Sequence, residues 1–338
     1  MKIGLIGGYG HECVKLWPDA ELAWACDDFD DKALERAKAF GCGKTYPSMT
    51  ALLDDFRPDV VYIGSVYGHN GCLAILAMER GFDVVSEKPL ATDRQTLCQL
   101  HELTASGERR IIGEFAMRWQ LVFAKAQELI RSGTIGEVAF IQAQKTYKFG
   151  PKRPDFYKSR ELFGGIIPWV AVHAIDYAAW CTGLQYESVT AVQGNSCHPE
   201  YDEMEDHASM LFQMTGGVPC VITADFLRPE GASTHGDDRL RVTGSKGVIE
   251  IRNETLWIIT TQAEESWTGD ENEADGIQRA KDLVNAALGK SNPTISTAGC
   301  LHIAAAALAA RDAADSQTGE RVRLATLCAS NPKKSQAV

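Results

Sequence analysis

The sequence predicts an α/β protein with two domains: a parallel sheet flanked by helices over residues 1–118, and an α+β domain with an open, mostly antiparallel sheet over residues 119–328. In the first domain, short apolar runs alternate with helical patterns, which indicates crossover connections between parallel strands. In the second domain, longer segments alternate apolar and polar residues, as half-buried antiparallel strands do. Residues 329–338 are polar and predict a frayed tail.

Composition and charge argue against several classes of partner. The chain has 338 residues, which favours two domains, and its 34 basic and 45 acidic residues give a net charge of −11. No Lys/Arg cluster offers a binding stripe for nucleic acid. No apolar run approaches the roughly 18 residues of a membrane span, and the ten cysteines include no Cys-x-x-Cys pair. We therefore expect a cytoplasmic protein with reduced thiols and no membrane segment.

The predicted elements of the first domain alternate between strand and helix. Its strands are expected at residues 3–6, 22–26, 60–64, 84–85 and 111–113. Its helices are expected at residues 32–40, 49–55, 71–80 and 92–105, the second of them capped by Ser48. In the second domain, strands are expected at residues 137–147, 207–214, 218–226, 239–243 and 248–251, and helices at residues 121–130, 169–180 and 298–314.

A glycine-rich turn follows the first predicted strand, at residues 7–10 (Gly-Gly-Tyr-Gly). A strand, such a turn and an acidic residue about 20 positions further on form the pattern typical of dinucleotide binding. Asp27 lies 20 residues after Gly7 and can accept a hydrogen bond from a ribose 2′-hydroxyl. Its charge repels a 2′-phosphate, so the pattern favours NAD over NADP. The alternative is a tight turn without a ligand, because Tyr9 and Glu12 occupy two of the expected glycine positions.

A lysine stands at the end of another predicted strand, in residues 84–90 (Val-Val-Ser-Glu-Lys-Pro-Leu). In open α/β sheets, ligands bind at the carboxyl ends of the strands. The proline that follows Lys88 keeps it out of a helix, so its side chain is predicted to point into that cleft. An ammonium group there can polarise a carbonyl or stabilise an alkoxide. For an isolated Glu-Lys-Pro, a solvated surface turn would be the alternative.

Three stretches match one family in order and spacing. Residues 77–91 (AMERGFDVVSEKPLA) form a helix–glycine–strand–Glu-Lys-Pro run. Residues 164–165 (Gly-Gly) precede residues 173–176 (His-Ala-Ile-Asp), and residues 238–250 (DRLRVTGSKGVIE) form a late strand–turn–strand. Together these stretches resemble the glucose–fructose oxidoreductase / inositol dehydrogenase (Gfo/Idh/MocA) family, and the resemblance covers residues 1–325.

The resemblance implies a Rossmann domain that binds NAD(P) and a second domain whose open sheet forms homodimers or homotetramers. It implies sugars, inositols or related polyols as substrates, oxidised or reduced at a ring carbon. In such enzymes the lysine reaches the reacting oxygen and the histidine transfers the proton, roles that fall to Lys88 and His173. The candidate cofactor contacts are Gly7, Gly8, Tyr9, Gly10, Asp27, Ser65, Asn70, Glu87 and Lys88. Asn70 departs from the family, which usually has a histidine at that position.

Four further residues are candidates for substrate binding, and each has a structural alternative. Asp176 lies one helical turn after His173 and could orient the imidazole or bind a hydroxyl, or pair with a basic residue. Trp169 stands four residues before His173, where the family usually has an aspartate. It could stack on a sugar ring or pack in the core. Lys145 and Tyr157, at the end of a long strand and in the following loop, could form the floor of the pocket.

The acidic run at residues 203–207 (Glu-Met-Glu-Asp-His) superficially suggests a metal site. Clustered carboxylates at the junction of a loop and a strand usually form a solvated turn, so we expect no metal.

Three functions remain open at this stage. The leading hypothesis is an NAD-dependent oxidoreductase that passes a hydride between nicotinamide and the carbon whose oxygen Lys88 holds. In the second, NAD stays bound and serves a transient oxidation, as in NAD-dependent glycosidases, so no NADH accumulates. In the third, the protein is a nucleotide sensor or scaffold without catalysis, and replacing Lys88 by alanine leaves its function intact.

Overall fold

The computed structural model describes residues 1–10, 17, 19–25, 31–151, 153–269, 276–290 and 294–326. The predictions made for Asp27 and for residues 329–338 lie outside these ranges.

The first sheet is parallel, as predicted. Its strands within the described residues are β1 (Lys2–Ile6), β2 (Glu21–Ala25), β3 (Lys44–Tyr46), β4 (Val60–Ile63), β5 (Val84–Ser86) and β6 (Ile111–Gly113), in the spatial order β3-β2-β1-β4-β5-β6. The helices that accompany them are α1 (Asp31–Ala39), α2 (Met49–Asp55), α3 (Asn70–Glu79) and α4 (Arg94–Thr104). Two helix starts follow from side-chain caps, since Ser48 accepts from the Ala51 N–H and Asp93 accepts from the Thr96 N–H.

The strand order creates a crevice at one edge of this sheet. β1 pairs with β2 on one side and with β4 on the other, so the chain leaves β1 and β4 in opposite directions. The register places Ile6 beside Ile63, and the ladder continues where Gly64 N–H donates to the Ile6 carbonyl (2.8 Å). The residues that follow β1 and β4 therefore lie side by side at the carboxyl ends of the strands.

The second sheet is mostly antiparallel, which confirms the prediction. After α5 (Leu121–Arg131), its described strands are β7 (Val138–Tyr147), β8 (Tyr186–Gly194), β9 (His207–Met214), β10 (Pro219–Asp225), β11 (Gly236–Gly244), β12 (Gly247–Arg252), β13 (Thr255–Thr260), β14 (Glu264–Trp267) and β15 (Val322–Arg323). β10 and β7 form the parallel pair among them. In β9 the buried residues Ala208, Met210, Phe212 and Met214 alternate with more exposed ones, which is the predicted period of two.

A nearly continuous helical segment connects β7 to β8 and positions the catalytic candidates. It consists of α6 (Arg160–Phe163), a π-helical turn (Ile167–Ala171) and α7 (Val172–Thr182). The segment Arg160–Thr182 is long and apolar enough to cross a membrane, so the expectation that no run approaches that length was wrong. However, 83% of its most apolar window is buried inside the protein, which identifies it as a core helix.

Two C-terminal helices connect the sheets. α8 (Gly276–Ala287) packs on β5 and β6, and α9 (Thr297–Ser316) packs on α4, β6 and β8. The sequence patterns predicted α9 but missed the helices α6 and α8 and the strands β3, β8, β13, β14 and β15. Several of these strands are short or lie at a sheet edge, where partial exposure weakens the apolar pattern.

One cysteine contradicts the expectation that all thiols are reduced. Cys98 in α4 is disulfide-bonded. The other described cysteines, which are Cys42, Cys72, Cys181, Cys197, Cys220 and Cys300, are free.

Candidate active site

The crevice at the carboxyl ends of the parallel strands contains a cavity of about 320 Å³. It is lined by Tyr9, Gly10, Ser65, Tyr67, Glu87, Lys88, Glu114, Ala116, Tyr147, Trp169 and His173. Both predicted catalytic residues, Lys88 and His173, therefore face one space. A larger cavity of about 1110 Å³ lies among α4, α7 and the start of α9, but neither of these two residues lines it. We accordingly place the candidate active site in the smaller cavity.

The glycine turn approaches its neighbours too closely for side chains. Gly7 has φ +90°, and a Cβ there would lie 2.4 Å from the Gly64 carbonyl oxygen. Gly10 has φ +76°, and a Cβ there would lie 2.2 Å from Oε1 of Glu87. Arg36 donates to the carbonyls of Gly8 (2.6 Å) and Gly10 (3.1 Å). Arg36 thus fixes the conformation of this turn, which requires glycine at positions 7 and 10. Gly10 of the turn lines the cavity.

Asn70 connects two loops of the site through hydrogen bonds. Its side chain is fully buried, and Oδ1 accepts from the Ser65 N–H (2.9 Å). Nδ2 donates to the carbonyls of Glu87 (3.3 Å) and Pro89 (3.4 Å). Asn70 does not line the cavity. It ties the loop after β4 to the loop that carries Lys88.

Lys88 lies against an aromatic stack. Its Nζ is 2.7 Å from the ring centroid of Trp169, and Trp169 stacks on Tyr67 with centroids 3.6 Å apart and planes 17° apart. Two groups this close to one ring cannot share a face, so both faces of the indole are covered. The stacking of Trp169 on a sugar ring, considered from the sequence, is therefore not available in this structure.

The ionisation of Lys88 is strongly perturbed. Burial lowers its pKa well below the usual value, and the Lys145 and Arg153 charges lower it further, while Glu87 and Glu114 oppose this shift. A lysine in this environment therefore loses its proton at a lower pH than a solvated lysine does.

His173 lies at the start of α7 and is 6% exposed. Its Nδ1 is buried and has no hydrogen-bond partner within the described ranges of the chain. Burial lowers the pKa of His173 well below its usual value, and the charges of Lys88 and Lys145 add to this effect. The imidazole is therefore neutral at pH 7, with an acceptor capacity that no described residue uses.

Two glutamates form a carboxyl pair at the other side of the cavity. Glu114 directly follows β6, and its N–H donates to the Ser86 carbonyl (2.9 Å), one residue beyond the β5–β6 ladder. Its carboxyl accepts from the Tyr62 hydroxyl and lies 3.3 Å from Nε of Arg279. Burial, the nearby Glu114 charge and a hydrogen bond between the two side chains raise the pKa of Glu87 to about 8.

Three of the four predicted substrate-binding residues are engaged elsewhere and do not line the cavity. Asp176 is fully buried and accepts three hydrogen bonds from Arg118, at 2.5–3.2 Å, which is the structural alternative considered for it. Lys145 pairs with Asp238 at 2.6 Å, close enough to the site for its charge to reach Lys88 and His173. The Tyr157 hydroxyl lies 3.2 Å from that of Tyr67, so Tyr157 supports the wall from outside.

Sequence reasoning missed Tyr67 and Glu114. Both follow a strand of the parallel sheet closely, at the edge where ligands bind. Their location just after a strand could therefore have identified both residues as candidates for the site. What the sequence could not show is that Tyr67 would meet Trp169, about a hundred positions further on.

The acidic run at residues 203–207 is not the solvated turn that we expected. Asp206 is fully buried and accepts from the N–H groups of Ser196 and Cys197, and it contacts the rings of His198 and His207. Its role is to hold the loop between β8 and β9. Among the described residues, no group of three or more His, Cys, Asp or Glu side chains is arranged to hold a metal ion.

Comparison with known proteins identifies matches to both parts of the chain. Residues 1–114 match the oxidoreductase family with an NAD-binding Rossmann fold, and residues 123–250 match the GFO/IDH/MocA C-terminal domain. Myo-inositol 2-dehydrogenase from Thermotoga maritima is 27% identical over 78% of this chain and 79% of that enzyme. Trans-1,2-dihydrobenzene-1,2-diol dehydrogenase from Xenopus tropicalis is 26% identical over 68% of this chain and 67% of that enzyme. The solved structure of a Thermotoga maritima protein classed as an oxidoreductase is 30% identical and superposes with a TM-score of 0.87, covering 96% of this chain and all of that one.

Proposed function

Because this chain belongs to the Gfo/Idh/MocA family of NAD-binding oxidoreductases, we propose that it oxidises or reduces a ring carbon of a sugar, inositol or related polyol. The observation that carries the proposal is the convergence of Lys88 and His173 on one cavity beside the glycine turn. The names of two relatives, an inositol dehydrogenase and a dihydrodiol dehydrogenase, support a cyclic polyol as the substrate.

The residues around the crevice fit a dinucleotide. The turn at Gly7 and Gly10 has no room for side chains, and Ser65 and Glu87 line the same space. NAD, when bound, supplies the hydride acceptor or donor of the reaction. Asp27 remains our prediction for the residue that binds the adenosine ribose and selects NAD over NADP.

Lys88 and His173 would have different roles at the reacting hydroxyl, one acting on its oxygen and the other on its proton. The Lys88 ammonium holds the oxygen and stabilises negative charge that develops on it during oxidation. His173 is neutral at pH 7 and its Nδ1 has no described partner, so it is in the form that accepts the hydroxyl proton. In the reverse direction the protonated imidazole returns this proton to the alkoxide.

The test is a substrate screen with purified protein, NAD⁺ and cyclic polyols such as myo-inositol, methyl glucosides and dihydrodiols, followed by NADH absorbance. We expect NADH to accumulate with at least one of them, and Lys88→Ala and His173→Ala to lower kcat by about a hundredfold or more. NADH affinity should change little in His173→Ala. Product formation without net NADH would instead indicate the NAD-retaining reaction.

We also infer a homodimer or homotetramer that forms through the second sheet. Val192 on β8 is 65% exposed and Leu211 on the neighbouring β9 is 46% exposed. Apolar side chains on an open sheet face are usually covered by a partner. Light scattering of the wild type and of the Val192→Lys/Leu211→Lys variant tests this, because two charges on that face should shift the protein towards monomer.

A cytoplasmic location remains a prediction. The disulfide at Cys98 counts against a fully reducing environment. Titration of free thiols in protein isolated under acid quenching, with and without reductant, would show whether this bond exists in the cell.

A further inference from the structure

The environment of Lys88 lacks the carboxylate contact that a buried ammonium normally needs. Lys88 is 7% exposed, yet within the described parts of the chain its Nζ donates no hydrogen bond and lies within 4 Å of no carboxylate. Its close neighbour is the indole of Trp169, with Nζ 2.7 Å from the ring centroid. A buried charge without compensation is costly, whereas the face of an indole attracts a cation.

We propose that the stack of Trp169 and Tyr67 is the positioning device for Lys88, taking the place of a carboxylate. This inference rests on the proposed function and concerns the residue that acts on the reacting oxygen. A carboxylate would occupy N–H donors of Lys88 with strong hydrogen bonds. An aromatic face attracts the charge without a hydrogen-bond acceptor of comparable strength, so the donors stay available to the substrate oxygen.

Other aromatic residues hold the stack in place on the Tyr67 side. Tyr67 is 8% exposed and covers the face of Trp169 opposite Lys88. The ring of Phe156 packs edge-on against Tyr67 with centroids 4.9 Å apart, and the Tyr157 hydroxyl lies 3.2 Å from the Tyr67 hydroxyl. The indole therefore cannot move away from Lys88 without disturbing this whole aromatic cluster.

Trp169 and His173 enter the cavity from adjoining turns of one helical segment. Trp169 lies in the π-helical turn Ile167–Ala171, directly before α7. A π turn contains an extra residue compared with an α turn, which shifts the side chains that precede it relative to those that follow. Trp169 and His173, four residues apart, both line the cavity, whereas Asp176, further along α7, accepts a hydrogen bond from Arg118.

The experiment measures the titration of Lys88 directly, by NMR of protein with isotope-labelled lysine, with the signal assigned from Lys88→Met. The charged groups that act on Lys88 are Glu87, Glu114, Lys145, Arg153 and His173, and none of them is changed. The variants are Trp169→Leu, which removes the aromatic face, Trp169→Phe, which keeps a smaller one, and Trp169→Asp, which restores a carboxylate.

Because the indole favours the charged form of Lys88, its removal must lower the pH at which Lys88 titrates. We expect Trp169→Leu to lower that pH by about one unit, Trp169→Phe to lower it less, and Trp169→Asp to raise it. The alkaline limb of the kcat profile should move in the same order. At the optimum, kcat of Trp169→Leu should fall about tenfold while the Kd for NADH stays unchanged.

Identical Lys88 titration in the wild type and in Trp169→Leu would overturn the proposal, even if activity fell, since a purely structural role lowers kcat without moving a titration. If Trp169→Leu is unstable, Tyr67→Leu removes the support behind the indole and should shift Lys88 in the same direction by a smaller amount. A shifted titration in a protein that oxidises no polyol would refute the proposed function alone, so the two failures are distinguishable.

Discussion

The buried ion pair between Asp176 and Arg118 makes a prediction that separates a structural role from a catalytic one. The Asp176 side chain is 0% exposed and that of Arg118 is 6% exposed. Replacing Asp176 by alanine leaves the guanidinium buried. Among the described residues, its remaining hydrogen-bond acceptor is the backbone carbonyl of Thr294. Removing one partner of a buried pair costs about 3–5 kcal/mol, because the other charge stays uncompensated.

The assay is urea denaturation of the wild type, Asp176→Ala and a matched control. Asp155→Ala removes an ion pair of similar length, since Asp155 lies 3.0 Å from Lys158, but its side chain is 92% exposed. We expect the control to lower the free energy of unfolding by less than about 1 kcal/mol. The double variant Arg118→Met/Asp176→Leu should recover most of the stability lost in Asp176→Ala, because no charge is left unpaired.

Measurement of KM and activity in the same variants shows whether Asp176 only stabilises the fold or also binds substrate. If Asp176 only holds α7, KM in Asp176→Ala should change little at temperatures where the variant is folded, and the double variant should be active. The reasoning is refuted if Asp176→Ala loses less than about 1 kcal/mol of stability while KM for the polyol rises more than tenfold. Asp176 would then bind substrate, as the sequence first suggested.

The remaining predictions concern the cofactor site and its titration. Gly10→Ala forces a Cβ onto the Glu87 carboxylate and should weaken NADH binding, measured by fluorescence, whereas Gly43→Ala, with open space around it, should bind as the wild type does; equal binding by both would contradict the tight turn. The pKa of Glu87 is about 8 against an ordinary 4.5, so the folded state keeps a proton that the unfolded state releases. The free energy of unfolding should therefore fall as pH rises from 4.5 to 8, by about 1.4 kcal/mol per unit, and Glu87→Gln should flatten this fall in urea titrations; an unchanged slope would show that another group carries it. Asp27→Ala should lose the preference for NADH over NADPH in the same fluorescence assay, and a retained preference would place the ribose contact elsewhere.

The alternation of strand and helix and the residues at strand ends could be predicted from sequence because they depend on local periodicity. The parallel sheet, the glycine turn and the cavity-facing Lys88 follow from patterns a few residues long. The resemblance of residues 164–176 to a family signature added His173, and the structure brings it to the same cavity.

The partners of polar and aromatic side chains could not be predicted, because those partners are distant in sequence. Asp176 meets Arg118 from 58 positions away, and Glu114 accepts from Tyr62 from 52 positions away. Whether an acidic residue binds substrate or compensates a buried arginine depends on which element packs behind it. That packing is decided by the whole core.

The sequence by itself determined the elements, the sheet types and the identity of the reactive side chains, since these depend on residue type and spacing. The tertiary structure alone decided their environment: Trp169 covers Lys88 instead of facing a substrate ring, and burial beside Glu114 raises the pKa of Glu87. The physical reason is that burial and the neighbouring charges set the ionisation and orientation of a side chain, and both are properties of the packed chain.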